Sequence, residues 1–410
     1  MAKYLSVHKK YIGNMNKRNV LNCIRENQPI NRSAIAQMVG LSTPAVMAIT
    51  EELLKMKIIC SAGKGGSGVG KHPELLSVRG DHFRYIGVDV GRVNSRVVIT
   101  GQDGEILASS KCPTKGIEEP LHYLDSLSEQ IKRTIKQTDI DWETIVGVCV
   151  AMPGLIEEET GTVIFSPDFG WKDIPLQKLM QERLEPLQVI VENANRAQAR
   201  WETRPERKNK ESTIFCIGLG YGIGSAIISN GELYYGSSGT SGEIGHIIVN
   251  PNGAVCLCGN NGCLEAVASG RAIAEQARQI VKFGHDTILC RLCGGDIESI
   301  TAKMVFEAAA LQDEVAIKLI DQAAKYIGVA LATAINMLDP DTIYLCGGMM
   351  KNGDDFLERI KKYTRERQMH LAGRHVVICR GSRNDLNVAC GATLMIQDLG
   401  WKFEALSFLY

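Results

Sequence analysis

Apolar residues recur every three or four positions in three short runs near the N-terminus. In "KRNVLNCIREN" (residues 17–27), Val20, Leu21 and Ile24 share one face, which predicts a helix. "NRSAIAQMVG" (31–40) opens on Asn31 as an N-cap, sets Ile35, Met38 and Val39 on one face, and stops at Gly40. "STPAVMAITEELLKMKII" (42–59) follows after a short turn, with Ser42 or Thr43 as cap, Pro44 in the first turn, and Val46, Ile49 and Leu53 facing inward. The last two helices and their tight glycine turn make a helix-turn-helix unit. In residues 57–78, strand-like ends flank a Gly/Ser/Lys hairpin, which reads as a wing. The pattern predicts a winged helix-turn-helix over residues 1–80.

From about residue 84 the helical period gives way to short apolar runs that end in glycine turns. "YIGVDVGRVNSRVVIT" predicts strand, acidic-glycine turn, strand, and "GEILASSKC" continues the meander. A helix is expected over 120–137, buried strands at 145–156 and 341–350, and a strand followed by a helix over 187–202. "STIFCIGLGYGIGSAIISNGELYYG" (212–236) repeats the strand, glycine turn, strand scheme of residues 85–100. Two halves that each open on a glycine-rich hairpin predict a two-lobed α/β body with a cleft between the lobes. The expected division is 81–200 for the first lobe, completed by 385–410, and 201–384 for the second.

Charge sharpens this division. The chain has 410 residues, with 46 Lys/Arg against 46 Asp/Glu, yet residues 1–80 hold 12 of the basic residues and only 4 of the acidic ones. A basic module joined to an acidic body suggests a polyanion-binding arm, here double-stranded DNA. The second helix of the pair would enter the major groove, presenting Thr43, Pro44, Met47 and Thr50, while Lys64 and Lys71 on the wing reach phosphate or the minor groove. No run of 18 apolar residues and no signal-peptide pattern occur, so a cytoplasmic protein is expected. Thirteen cysteines in a reducing compartment then read as buried thiols or metal ligands rather than a disulfide framework.

Two stretches carry candidate chemistry. The turns at Asp89–Asn94 and Gly218–Gly224 place backbone amides where an anion could sit, although tight hairpins explain such turns equally well. "CLCGNNGCLE" (256–265) is compatible with a redox pair, a disulfide, a metal site or a turn of small residues. The order of the DxG turn, "MPG", "VEN", "GxGxG", "GEIGH", "CxCGxxGCxE" and "CGG" resembles the ROK family of sugar kinases and sugar-responsive repressors. With its N-terminal winged helix the chain is most similar to the repressor branch, from about residue 14 to 395.

That resemblance implies an actin-like, sugar-kinase (ribonuclease H-like) fold for the body. It also implies a closed structural zinc site built from His246, Cys256, Cys258 and Cys263, four ligands that leave no position for catalysis. Sugar recognition in the family maps to Asn193, Glu243, His246 and Glu265, with Gly154 shaping the pocket floor. Departures from the kinase pattern are equally informative. Counting back from Glu202, the general-base position holds Ala194, which cannot take a proton. A slipped alignment would offer Glu192 instead, at the cost of misplacing Asn193. Arg92 and Val93 stand in the first turn and Tyr221 in the second, where a triphosphate needs small residues. Arg196 and Arg200 are expected on a solvated helix face, with charge for an anionic ligand as the alternative. The expectation is a homodimeric or tetrameric operator-binding repressor controlled by a sugar or sugar derivative, with a sugar kinase bearing a regulatory domain as the competing class.

Overall fold

The computed structural model describes residues 2–65, 73–80, 83–204, 212–370 and 375–402. The N-terminal domain contains α1 (Ala2–Asn27), β1 (Ile30–Asn31), α2 (Arg32–Val39), α3 (Thr43–Lys55), β2 (Ile59–Lys64) and β3 (Glu74–Val78). Asn31 caps α2 by accepting from the Ala34 amide, and Gly40 ends the helix in a left-handed conformation. Ser42 occupies the N-cap of α3 without a side-chain bond, and Pro44 lies in its first turn. The wing strands pair antiparallel, and β1 adds to the far edge of β3. Val20, Leu21, Ile24, Ile35, Val46, Leu53, Ile58 and Leu76 are fully buried and form the core.

Two expectations about this domain fail. Thr50 is fully buried rather than groove-facing. It accepts from Arg32 Nε at 2.8 Å, while Arg32 Nη1 donates to Glu74 Oε2 at 2.7 Å. Thr50 therefore helps tie α2 and α3 to the wing. Met38 is 61% exposed, because Ile35 and Ala36 supply the buried face of the short α2.

The body begins with β4 (Arg84–Val90), β5 (Asn94–Thr100), β6 (Ile106–Pro113), α4 (Pro120–Lys136) and β7 (Ile145–Met152). It continues through β8 (Leu155–Ile156), β9 (Val163–Ser166), β10 (Trp171–Ile174), α5 (Leu176–Leu184), β11 (Gln188–Asn193) and α6 (Ala194–Glu202). The second half has β12 (Thr213–Leu219), β13 (Ile223–Ser229), β14 (Glu232–Tyr234), α7 (Leu264–Ala268), α8 (Gly270–Lys282), α9 (Ile288–Leu292), α10 (Ala302–Ala310) and α11 (Glu314–Leu338). It closes with β15 (Thr342–Cys346), α12 (Asp355–Arg365), β16 (Val377–Arg380) and α13 (Asn387–Lys402).

The two main sheets run β6-β5-β4-β7-β11 and β14-β13-β12-β15-β16, the same order twice. In each, three antiparallel strands of a meander are followed by two strands added in parallel. Every residue of the interior strand β7 is buried, as a strand covered on both faces requires. Helix α13 returns from the end of the chain to pack on β4, β7 and α6, and α6 also packs on β12 and β13. Glu202, at the end of α6, accepts from the Ser382 amide (2.9 Å) and Asn387 Nδ2 (3.1 Å), which ties α6 to the start of α13. The α6/α13 pair is thus the seam of the body.

Candidate metal cluster and interlobe site

The cysteine stretch folds as a compact loop between the short helical turn Ile244–His246 and α7. Short antiparallel bridges join Ile248 to Cys263 and Val255 to Asn261. Gly262 has φ +70°, and a Cβ there would lie 1.5 Å from the Asn250 carbonyl oxygen, so only glycine fits. The loop brings one ligand atom from each of His246, Cys256, Cys258 and Cys263 within 4.8 Å of the others.

The internal distances test the fit. A tetrahedral ion with metal–sulfur bonds of about 2.3 Å separates its sulfurs by about 3.8 Å. Cys258 Sγ and Cys263 Sγ stand 3.6 Å apart, and Cys256 Sγ stands 3.7 Å from His246 Nδ1. Both spacings match edges of such a tetrahedron. Burial pushes the Cys263 and Cys256 thiols up, so three thiolates gathered there at neutral pH need a cation beside them. The residues present therefore suit a metal ion bound through one imidazole and three sulfurs. The other ring nitrogen, His246 Nε2, points toward Glu243, with Oε2 at 4.0 Å. Cys290 and Cys293 lie elsewhere, the first exposed and the second buried, and belong to no such cluster among the described residues.

Glu265 follows Cys263 by two positions, in the first turn of α7. Its Oε2 accepts the Ile223 amide at 2.9 Å, bracing the second glycine turn from beneath. Burial raises the Glu243 carboxyl above its ordinary range, opposed by the nearby His246. In the first lobe Asn193 is buried and caps α6, accepting from the Asn195 amide at 2.8 Å while its Nδ2 donates to the Gly154 carbonyl at 2.8 Å. Gly154 has φ +127°, and a Cβ there would stand 2.7 Å from the Phe165 carbonyl oxygen, so the residue shapes the Pro153–Leu155 corner by being glycine. Ala194 is the first residue of α6, immediately after that cap.

Arg196 and Arg200 do not lie on a solvated face. Both are buried, 6% and 3% exposed, because α6 is enclosed by α13 on one side and β12 and β13 on the other. Arg196 Nη1 donates to Glu192 Oε1 at 3.2 Å, its Nη2 donates to the Gly239 carbonyl, and its guanidinium lies 4.6 Å from the centre of the Tyr235 ring. Tyr235 donates to Glu192 Oε2 at 3.0 Å, so Glu192 is committed to this network. Arg200 donates to Asp398 (2.8 Å) and to the Gly231 carbonyl (3.0 Å). Each arginine joins the two lobes. Tyr235 and Asp398 had no signal in the sequence, since each is dozens or hundreds of positions from its partner.

Asp89, near the end of β4 beside the first glycine turn, is buried 3.2 Å from Arg96. Burial raises its carboxyl from 3.8 to about 6, against the pull of Arg96. Since folding favours the protonated form, the group costs stability as pH rises through 6 and costs none below the unfolded value. Asp89→Asn is expected to gain up to about 3 kcal/mol at pH 7.5 and nothing at pH 3.5, as urea unfolding at the two values would read.

Of the residues expected to read DNA, Thr43, Pro44 and Met47 are exposed along the first turns of α3, and Lys64 is exposed at the end of β2. Thr50 is buried beneath them, as described, and Lys71 lies outside the described residues.

Comparison with known proteins agrees with this architecture. Residues 85–399 match the ROK family and residues 15–59 match a winged helix-turn-helix DNA-binding domain. The chain is 29% identical over 382 residues to a xylose repressor of Caldicellulosiruptor bescii, covering 93% of this chain and 95% of that one. It is 34% identical over 280 residues to a glucokinase of Halalkalibacterium halodurans, covering 68% and 84%. Among solved structures, a ROK family transcriptional regulator, a homologue of the E. coli MLC protein, superposes with a TM-score of 0.78 at 25% identity, covering 97% of this chain and 99% of that one. The chain belongs to the ROK family and carries a winged helix-turn-helix DNA-binding domain at its N-terminal end.

Proposed function

We propose that this protein is a repressor of carbohydrate-metabolism genes that binds a double-stranded operator as a homodimer and is controlled by an uncharged sugar held between its lobes. One observation carries the reading: an exposed α3 in a winged helix is joined to a kinase-like body whose α6 opens on Ala194, a residue without a proton acceptor. Thr43, Pro44 and Met47 meet base edges in the major groove, and Lys64 meets backbone phosphate. A dimer sets two such helices on half-sites about 34–36 Å apart, or a multiple of that.

Zinc is the ion that best suits three sulfurs and one imidazole in a closed tetrahedron, and its role is structural. It fixes the loop carrying His246 and holds α7, so that Glu265 and Glu243 face the sugar together with Asn193. Two acidic side chains and two arginines already committed to internal acceptors favour a neutral polyol over a sugar phosphate. D-xylose is the first sugar to try, given the xylose repressor among the relatives. A thermal-shift panel of free and phosphorylated sugars tests this directly: one uncharged sugar is expected to raise the melting temperature, and stabilisation by sugar phosphates alone would refute it.

The DNA-binding assignment gives a second expectation. Lys64→Ala weakens operator binding at every sequence tested and lowers the slope of log affinity against log salt by about 1. Fluorescence anisotropy at several salt concentrations measures both.

A further inference from the structure

Two residues that crowd the glycine turns meet each other across the lobes. Arg92, just after β4, places its guanidinium 3.9 Å from the centre of the Tyr221 ring, which stands in the β12–β13 turn. Arg92 is aimed by a second contact within its own lobe, an Nη1 bond of 2.7 Å to Asp168 in the β9–β10 turn. Tyr221 is held just as firmly from its own side. Its carbonyl accepts the Arg271 amide at 3.0 Å, the Gly220 carbonyl accepts the Gly270 amide at 2.9 Å, and the Ile223 amide donates to Glu265. A Cβ at Gly222 would stand 2.5 Å from Glu265 Oε2, so the turn lies flat on that carboxylate.

We propose that Arg92 and Tyr221 form a clasp between the lobes, and that Glu265 transmits the state of the sugar site to it. Both partners are about two-fifths exposed, so the contact is a cation–π pair open to water on one side. A pair of that strength shifts an open–closed equilibrium about two- to five-fold, enough to bias lobe closure without locking it. When a sugar hydroxyl bonds to Glu265, the carboxylate realigns against the Ile223 amide, and the Tyr221 ring moves relative to a guanidinium that Asp168 holds in place. The same bulk that bars a triphosphate from the turns thereby becomes a mechanical link. The trigger rests on the sugar site proposed above, whereas the clasp itself does not.

Hydrogen–deuterium exchange on the full-length protein without sugar separates the two. Tyr221→Ala is expected to speed exchange about two- to five-fold in first-lobe peptides spanning 91–94 and 166–170, and Arg92→Ala to do the same in the second-lobe peptide spanning 218–224. Tyr221→Phe, which keeps the ring, leaves the first-lobe peptides at wild-type rates. Exchange changes confined to the lobe that carries the substitution would overturn the clasp, whatever any sugar does. Addition of D-xylose and D-glucose to the wild type then reads the trigger. Slowed exchange at both turns in the wild type but only at 218–224 in Arg92→Ala supports transmission, and slowed exchange at both turns in both proteins contradicts it. If neither sugar alters the wild type, transmission from these sugars is refuted and the sugar-free comparison still decides the clasp.

Discussion

Cys263→Ser is expected to abolish metal binding and to lower the melting temperature by about 5 °C or more. Cys263 is fully buried at the start of α7, and its sulfur lies 3.6 Å from that of Cys258. A serine hydroxyl there cannot replace a thiolate ligand and leaves three donors around an ion that needs four. Binding energy of a structural metal is folding energy, on the order of 10 kcal/mol where no site exists in the unfolded chain. In a large domain with its own core only part of that is lost, but a few kcal/mol still moves the transition of a domain this size by about 5 °C. The effect reaches beyond the loop, because Glu265 sits two residues on and braces the Ile223 amide. The check is metal content by elemental analysis beside a melting curve, with Cys290→Ser, which changes an exposed thiol outside the cluster, as control. One retained equivalent of metal, or an unchanged melting curve, would refute the structural role.

Arg196→Met has the second large effect, a loss of about 3–5 kcal/mol at neutral pH. The side chain is almost completely buried and is the ionic partner of Glu192. Its removal strands that carboxylate in a site where burial already raises its proton affinity. The sign with pH follows. A carboxyl whose folded pKa is raised costs stability as pH rises through that value, so the variant is weakest at pH 8 and recovers toward pH 5. The double variant Glu192→Gln with Arg196→Met removes both charges and should regain most of the loss. Chemical unfolding of wild type and both variants at the two pH values tests this. A single variant as stable as wild type at pH 8 would show that the ion pair does not hold the seam.

What could be read from the chain follows the distance over which each feature is encoded. The helix-turn-helix is local, with caps, periodic apolar positions and a glycine stop inside forty residues. The His/Cys cluster is nearly local, since its four residues fall within 246–263. The repeated hairpin scheme anticipated the duplicated sheet order, because each half opens with the same strand, glycine turn, strand pattern. The arginines of α6 were misjudged for the opposite reason. Nothing in the helix says that α13, almost two hundred residues later, covers the face where Arg200 meets Asp398. Thr50 is a different kind of miss. It follows Val46 by four positions and precedes Leu53 by three, so the period already put it on the buried face, although it was grouped with the groove-facing Thr43, Pro44 and Met47. The Arg92–Tyr221 contact was half legible: both residues stood out as too large for a phosphate turn, but pairing between the turns depends on lobe placement.

The most direct test of a sugar-controlled repressor is operator binding by the full-length protein, read by fluorescence anisotropy on a duplex selected from the promoter regions of its own genome. The account predicts that one uncharged sugar changes the operator Kd by tenfold or more, while its phosphorylated form at the same concentration does not. An operator affinity that no sugar alters, or a response to the sugar phosphate alone, would contradict it.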